Sequence, residues 1–342
     1  MSQLQLEDLV SGLCQEGIVD SSGRFTLDRS RALEKMRQFQ LPNPYVYCLK
    51  WLQAAVAGGA THFHWNSDPK RVQVHMVGLS LEPELLPALP TLLVDDRAGP
   101  CERHLSAGIN AVIRTRAREL SVASWDGRRG SRAIWKSEQF EQQAWTPEES
   151  QPQVFIELLR TGLERWKEWW YAANHHYVGE TRGSINARDR EQKLLHHAAA
   201  LAPLRVTIQG LGPDFELRAS PSLRSQLLSL TMLRNPYGFR TVSVVPAEEG
   251  GFSVDRISRA GQGRPCRLFV ATPHIPPEFS TLYLVRDGLM LEPERILPGQ
   301  PGRVFIACAR QLKVDLSGLN IVRDAHWEAL VEQLSHWREG PE

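Results

Sequence analysis

Three histidines on two neighbouring predicted strands could together bind a metal ion. His62 and His64 alternate on the run Thr61–Trp65, so both side chains point to one face of the sheet, and His75 lies on the run Arg71–Val77. Because imidazole is a common zinc ligand, one interpretation is a three-histidine metal site. No acid or cysteine completes the set, so we favour the other interpretation, in which the histidines lie on the solvent face and no metal is bound.

A group of arginines offers a second kind of chemistry, contact with nucleic acid. The group comprises Arg114, Arg116, Arg118, Arg128 and Arg129. Neighbouring acids dilute its charge, and the whole chain has a formal net charge of +1. A solvated sheet edge is therefore the better interpretation, and nucleic acid is not expected as a partner. Spacing alone identifies no Ser-His-Asp or Cys-His set.

Aromatic residues crowd the end of the amphipathic stretch Val154–Tyr171, which is predicted to be helical. They are Trp166, Trp169, Trp170 and Tyr171. Core packing of an amphipathic helix is one interpretation. A protein-binding patch is the other, because Trp and Tyr dominate interface hot spots. Both stay open, and the partner that the second interpretation implies is another protein of unknown identity.

Composition indicates an ordinary globular protein. The chain has 342 residues, 42% hydrophobic and 23% charged, which suits two domains with proper cores and argues against disorder. No apolar run approaches the length of a membrane span, and the N-terminal residues lack the basic-then-apolar pattern of a signal peptide. The five cysteines are odd in number and far apart, which favours buried thiols and a cytoplasmic location without a membrane partner.

Helices and strands alternate along the chain. The pattern predicts helices over Phe25–Gln40, Tyr45–Val56, Cys101–Arg116, Asp189–Leu201 and Ala325–Trp337, with a proline-broken helical segment over Glu82–Leu93. It predicts strands over Thr61–Trp65, Arg71–Val77, Glu119–Trp125, Arg205–Gln209, Thr241–Val245, Arg267–Thr272, Thr281–Val285 and Val304–Ala309. The polar segment 136–152 is expected to be a mobile loop. We expect an α/β sandwich with helices on one mixed sheet over residues 1–209, followed by a smaller α+β domain over 210–342.

The run Leu49–Thr61 is a helix that ends in a glycine turn and continues directly into a strand. This outline resembles the first nucleotide-binding helix of the GHKL (Bergerat-fold) ATPases, the superfamily of MutL, gyrase B, the histidine kinases and the heat-shock-ninety chaperones. In that family the helix ends in an "Asp-Ala-Gly-Ala-Thr" turn of the same shape. The resemblance implies a nucleotide-binding α/β sandwich in the first part of the chain.

Two further segments are similar to the heat-shock-ninety branch. The segment His104–Ala111, which contains Gly108 and Asn110, aligns with a glycine-containing helix start that closes on phosphate in those chaperones. The segment Asp315–Asp324 is similar to the "Leu-Asn-x-x-Arg-Glu" segment of their middle domain, whose arginine reaches the terminal phosphate of ATP. Arg323 is the match for that arginine. A third, dimerising domain is expected to be absent, because the sequence ends soon after this segment.

The positions that carry the family's chemistry are replaced. A general-base Glu, a magnesium-binding Asn and an acidic residue of the first helix are matched by Lys50, Ala54 and Ala57. A lysine cannot accept the proton of the attacking water near neutral pH without a large depression of its pKa, and alanine offers no oxygen to Mg²⁺. The adenine-reading Asp is also missing, because its segment keeps only a glycine, Gly78. Asp95 further along could be a relocated nucleotide contact, but a charged loop is the favoured interpretation.

The sequence therefore predicts a degenerate ATP-binding cleft lined by Lys50, Ala54, Ala57, Gly78, Gly108, Asn110 and Arg323. We expect no ATP turnover by the family's route and no required cofactor, so the chain leans away from being an enzyme. The favoured function is a non-catalytic GHKL homologue that serves as a protein-binding scaffold or adaptor. The alternative is a nucleotide-binding conformational switch, or a chaperone-like ATPase with divergent site residues, in which Lys50 faces the phosphates of ATP or ADP.

Overall fold

The structure is a computed structural model that describes residues 45–68, 70–95, 97–113, 117–136, 139–161, 187–199, 201–209, 216–217, 239–247, 251–253, 265–273, 276, 278–297, 302–315 and 317–337. The helix predicted over Phe25–Gln40 lies outside these residues.

An eight-stranded mixed sheet forms the first part of the fold. Its strands are β1 (His62–Ser67), β2 (Arg71–Val77), β3 (Ala117–Trp125), β4 (Gly130–Lys136), β5 (Gln139–Ala144), β6 (Gln153–Arg160), β7 (Arg205–Gln209) and β8 (Glu216–Leu217). They lie in the order β5-β4-β3-β6-β2-β1-β7-β8. The β1–β7 pair is parallel and the other pairs are antiparallel.

The described residues of this part of the chain include the helices α1 (Tyr47–Ala57), α2 (Pro100–Val112) and α3 (Ala187–Ala198). Burial alternates along β1 and β2, so that Phe63, Trp65 and Val74 face a core shared with Trp51 of α1 and Leu105 of α2. This period of two is what a strand with one covered face requires. Between β2 and α2 the predicted proline-broken segment forms two short 3₁₀ helices, Pro83–Leu85 and Leu89–Val94.

A second, seven-stranded sheet follows. It contains β9 (Phe239–Pro246), β10 (Phe252–Ser253), β11 (Pro265–Pro273), β12 (Ser280–Arg286), β13 (Leu289–Met290), β14 (Glu294–Ile296) and β15 (Val304–Cys308). The main path runs β10-β11-β15-β12-β13, with β9 paired to β11 and β14 to β12. The helix α4 (Ala325–Ser335) packs on one face through Trp327 and Leu334. Asp324 caps α4, because its carboxylate accepts the backbone N–H groups of His326 and Trp327.

These observations confirm the predicted fold class, helices packed on a mixed sheet and followed by a smaller α+β region. The first sheet continues past residue 209 to β8, and the second sheet begins at β9. The boundary between residues 209 and 210 stays a prediction. No helix in the described part of the chain is long and apolar enough to cross a membrane.

Two predicted elements are wrong. Part of the expected loop 136–152 is the strand β5, whose side chains are all exposed at the edge of the sheet. Such a strand has no apolar alternation to reveal it. The helix predicted over Val154–Tyr171 begins instead as the interior strand β6, in which Val154, Ile156 and Leu158 are buried at a period of two. The aromatic residues that suggested helical spacing come later and lie outside the described residues.

Candidate functional site

One face of α1 carries the three positions that the sequence resemblance predicts to match catalytic and metal-binding residues. Lys50, Ala54 and Ala57 recur at intervals of four and three residues, which places them along one side of the helix. Lys50 is only 2% exposed, Ala54 is buried and Ala57 is half-buried. The structure therefore brings these predicted site residues together, on a face that is covered.

A loop from the second part of the chain lies directly over Lys50. Its residues are Asp315 and 317–320, and we call it the Asp315 loop. The loop is held by the Asp315 carboxylate, which accepts hydrogen bonds from the Ser317 hydroxyl at 2.6 Å and the Asn320 amide at 2.8 Å. Gly318 has a φ of +67°, and a Cβ there would stand 2.9 Å from Lys50 Nζ. Glycine thus lets the loop backbone approach the ammonium group closely.

The hairpin between β12 and β13 covers the end of the same helix. Asp287 and Gly288 form its tip with φ values of 46° and 75°, the two positive values that a type I′ turn needs. A Cβ on Gly288 would lie 2.5 Å from Val56 Cγ2 and 3.2 Å from Pro203 Cδ. Leu289, 1% exposed, enters the core of the first sheet. The hairpin tip is therefore packed into the helix layer.

Charged groups from both parts of the chain meet at this junction. His104 Nε2 of α2 lies 3.2 Å from Asp287 Oδ2. Lys50 Nζ donates a hydrogen bond of 2.9 Å to Gln53 Oε1. Gln53 is fully buried, and its Nε2 has no hydrogen-bond partner within the described ranges.

Burial influences the protonation of two basic side chains, Lys50 and His104. Desolvation lowers the pKa of Lys50 to about 8, against the opposing attraction of the Asp315 and Asp287 carboxylates. Desolvation also lowers the pKa of His104, although the hydrogen bond with Asp287 opposes that shift. At neutral pH Lys50 is therefore still mostly a cation and a hydrogen-bond donor.

Gly108 and Asn110 are not at a helix start, and that expectation is wrong. The helix α2 begins at Pro100, so both residues lie in its interior. A Cβ on Gly108 would overlap the indole ring of Trp51, which shows that this glycine lets α1 and α2 approach closely. Asn110 Nδ2 donates to the backbone carbonyls of Pro90 at 2.7 Å and Ser106 at 2.9 Å. In this structure both residues serve helix packing.

Gly78 and Arg323 lie apart from the covered face of α1. Gly78 follows β2 with a φ of +84°, and its N–H donates to Pro152 O at 2.8 Å. Arg323 is 68% exposed and forms an ion pair of 2.8 Å with Glu294 of β14. The described contacts of Arg323 share no residue with those of Lys50. Trp166, Trp169, Trp170 and Tyr171 lie outside the described residues.

The three histidines occupy the face of the first sheet opposite to α1. His64 stands across from His75 in the β1–β2 register, with ring centroids 6.0 Å apart, and His62 lies 6.2 Å from His64. All three are half-buried, and His75 packs edge-on against Phe155 at 4.5 Å. No group of three potential metal ligands occurs in the described part of the chain.

Sequence reasoning missed the junction residues His104 and Asp287. The Asp-Gly dipeptide between two apolar runs was a usable hairpin signal. It also missed a buried network in which Tyr47 donates to Glu191, and Glu191 pairs with Arg160 at 2.6 Å. Desolvation raises the pKa of Tyr47 well above its usual value, so it remains a neutral donor there. No local pattern marks these distant partners.

Comparison with known proteins identifies the fold. No family model matches the chain, and no curated protein matches it. Among solved structures, a crystal structure of the B-subunit of DNA gyrase from Myxococcus xanthus superposes with a TM-score of 0.50. The match covers 89% of this chain and 94% of that chain, at 13% sequence identity. With its helix-on-sheet layer and second sheet region, this chain has the fold of a GHKL-type protein.

Proposed function

We propose that this chain is a GHKL-fold protein that does not hydrolyse ATP by the family's route and that acts as a protein-binding scaffold. The observation that carries the proposal is the environment of Lys50. This residue stands where the family has its general base, and it is buried beneath the Asp315 loop.

Several chemical losses support the absence of hydrolysis. Lys50 is mostly protonated at neutral pH, so it does not accept a proton from water. Ala54 supplies no oxygen for Mg²⁺. Gly318 lies against Lys50 on the helix face that holds both residues, and the Asp287–Gly288 hairpin tip packs against Val56 near the end of the same helix.

We place the chain in the heat-shock-ninety branch of the superfamily. The segment that resembles the chaperones' middle domain, Asp315–Asp324, includes the loop that lies against α1. Contact between that segment and the first helix supports a functional relation between the two. Arg323 does not support this placement, because its guanidinium forms an ion pair with Glu294 at the surface.

The scaffold role assigns protein binding to the aromatic segment Trp166, Trp169, Trp170 and Tyr171. A test is the variant Trp169→Ser, examined by thermal unfolding. If the aromatic cluster is a binding surface, the melting temperature stays unchanged. A large fall in melting temperature would show that the cluster packs in a core, which contradicts the assignment.

One observation favours a second candidate, a nucleotide-binding switch without efficient hydrolysis. Gln53 Nε2 is buried beside Lys50 without a partner in the described residues. Buried polar groups are nearly always hydrogen-bonded, so an anionic ligand at this point would satisfy both Gln53 and Lys50.

Hydrolysis and binding assays separate the two candidates. We expect no ATP turnover above background, and no thermal shift with ATP or ADP at millimolar concentration, with or without Mg²⁺. Ligand at 100 times its Kd would add about 2.7 kcal/mol of stability, a readily measured shift. A shift abolished by Gln53→Leu but kept by the distant control His62→Ala would establish the switch. A Mg²⁺-dependent rate that is lost in Lys50→Ala would overturn both.

A further inference from the structure

Among the described residues, no strand pairs with the outer side of β5, which forms an edge of the first sheet. β5 ends the strand order, and all six of its residues are exposed, including Phe140 at 44%. Its pairing with β4 runs without a bulge from Ser131↔Ala144 to Lys136↔Gln139. Natural sheet edges are usually blunted by bulges, prolines or charged side chains. Within β5 there is no bulge and no proline, and Glu141 is the single charged residue. The edge is therefore suited to pairing with a further strand.

One hydrogen bond determines which β5 residues point their backbone N–H and C=O groups toward β4 and which point them outward. Trp145 N donates to Gly130 O at 3.1 Å, so this pair bonds across to β4. Bonded and non-bonded pairs alternate in an antiparallel ladder, which makes Gln139, Glu141 and Gln143 the residues that bond to β4. The remaining residues, Phe140, Gln142 and Ala144, turn their N–H and C=O groups outward. These groups are the ones available to another chain.

We propose that β5 pairs with β5 of a second copy of this chain, antiparallel and about a two-fold axis through Gln142. This pairing joins the two eight-stranded sheets into one continuous sheet. It is independent of the proposed scaffold function and of the nucleotide cleft, because it uses the opposite end of the first sheet from β1 and β7.

The register follows from hydrogen bonding and charge. With the axis at Gln142, Gln142 faces its own copy and Phe140 faces Ala144 of the partner subunit. The three outward residues then form three bonded pairs, each exchanging two backbone hydrogen bonds. An axis at Glu141 would place two carboxylates directly opposite each other, which is unfavourable. An axis at Gln143 would place Phe140 opposite a residue beyond the end of β5, so that fewer bonded pairs form between the two strands.

The side chains complement each other in this register. Phe140 already rests against Trp135 with ring centroids 5.7 Å apart, so it is held in place to cover Ala144 of the partner subunit. Glu141 stands beside Gln143 of the partner subunit, whose amide can donate to the carboxylate. No two like charges meet along the strand pair. These features make a second copy of this chain the fitting occupant.

Sedimentation of the full chain over a range of concentrations tests the proposal. The native protein should pass from monomer to dimer as its concentration rises. Gln142→Lys places two ammonium groups face to face on the axis and should raise the dissociation constant several-fold. It also removes the hydrogen bonds that Gln142 Nε2 donates to Pro83 O and Ser131 Oγ. The matched control is therefore Gln142→Met, which removes the same bonds without adding a charge and should still dimerise. A native protein that stays monomeric at every concentration, or a dimer that Gln142→Lys leaves intact, would overturn the proposal.

Disulfide trapping tests the register without adding charge to the strand. Cα atoms of a bonded antiparallel pair are about 5.5 Å apart, within the range that a disulfide spans. Gln142→Cys should therefore cross-link to its copy on oxidation. Glu141→Cys, the matched neighbour, should not cross-link, because its partner across the axis is residue 143. The native chain sets the baseline, since its described cysteines are buried or half-buried. Faster cross-linking of Glu141→Cys would contradict the proposed axis.

Discussion

His104 Nε2 and Asp287 Oδ2 lie 3.2 Å apart, and this contact joins α2 of the first helix layer to the β12–β13 hairpin tip of the second sheet. The two residues are 183 positions apart in the chain. Lys50 and Arg286 lie close enough to influence His104 electrostatically. The junction between the two parts of the fold is therefore a partly buried cluster of titratable and charged side chains as well as an apolar contact.

Acid should weaken this junction. Burial lowers the pKa of His104 in the folded chain. Just below about pH 6.5, His104 is therefore protonated in the unfolded chain but still neutral in the folded chain. Stability accordingly falls as the pH drops through this range, by at most about 1.4 kcal/mol per pH unit for one group. Burial would raise the pKa of Asp287, but His104 and nearby arginines lower it overall. Asp287 therefore keeps its stabilising charge until the pH falls below its ordinary value of 3.8.

The measurement is urea unfolding of the native chain and of His104→Gln between about pH 7.5 and pH 5. The free-energy difference between the two proteins should shrink or reverse as the pH falls. His326→Gln is the control, because its side chain is exposed and it lies on α4, away from the junction. Parallel curves for native protein and His104→Gln would contradict the prediction.

Replacing Lys50 with methionine should not destabilise the protein at pH 7. Burial lowers the pKa of Lys50 from 10.5 to about 8, which corresponds to a penalty of roughly 3 kcal/mol below that pH. The penalty disappears as the pH rises from 8 to 10.5, so native stability should gain from this group over that interval. Lys50→Met should be at least as stable at pH 7 and should lack the alkaline gain. A large loss of stability at pH 7 would show that the cation is required at the junction.

Gly288→Ala should be more destabilising than the matched change Gly127→Ala. Both glycines follow an aspartate in a hairpin and have positive φ, 75° and 101°. Each substitution carries backbone strain of about 1 kcal/mol. Only at Gly288 would the new Cβ also press on Val56 and Pro203, for a further penalty of about 1–3 kcal/mol. Equal melting temperatures for the two variants would mean that the hairpin tip is not held against α1.

Gly108→Ala should disturb the packing of α1 on α2. The added methyl group meets the buried Trp51 ring, and overpacking of this kind costs about 1–3 kcal/mol. The near-ultraviolet circular dichroism of Trp51 should change along with stability. Gly59→Ala is the control, because a Cβ at Gly59 has no heavy atom within 4 Å and adds backbone strain alone. A native-like melting temperature for Gly108→Ala would contradict this packing role.

The sequence by itself determined the local elements that have strong patterns. The helix α1 and its glycine turn follow from an apolar run that ends at Gly58 and Gly59, and β1 and β2 follow from alternation. The resemblance of this turn to GHKL proteins led to the correct fold class. It also led to the prediction that Lys50 replaces a general base, which stays a prediction.

The tertiary structure alone decided what lies against that residue. Gly318 covers Lys50, and His104 contacts Asp287. These partners are so far apart in the sequence that the repeat of a helix or strand carries no information about them. The same limit explains β5, whose polar residues carry no strand pattern because both faces are exposed. It also explains Gly108, which fitted a helix start by resemblance but lies inside α2 against Trp51. Sequence periodicity reports which side of an element is buried, whereas the identity of the group that buries it depends on how distant elements pack together.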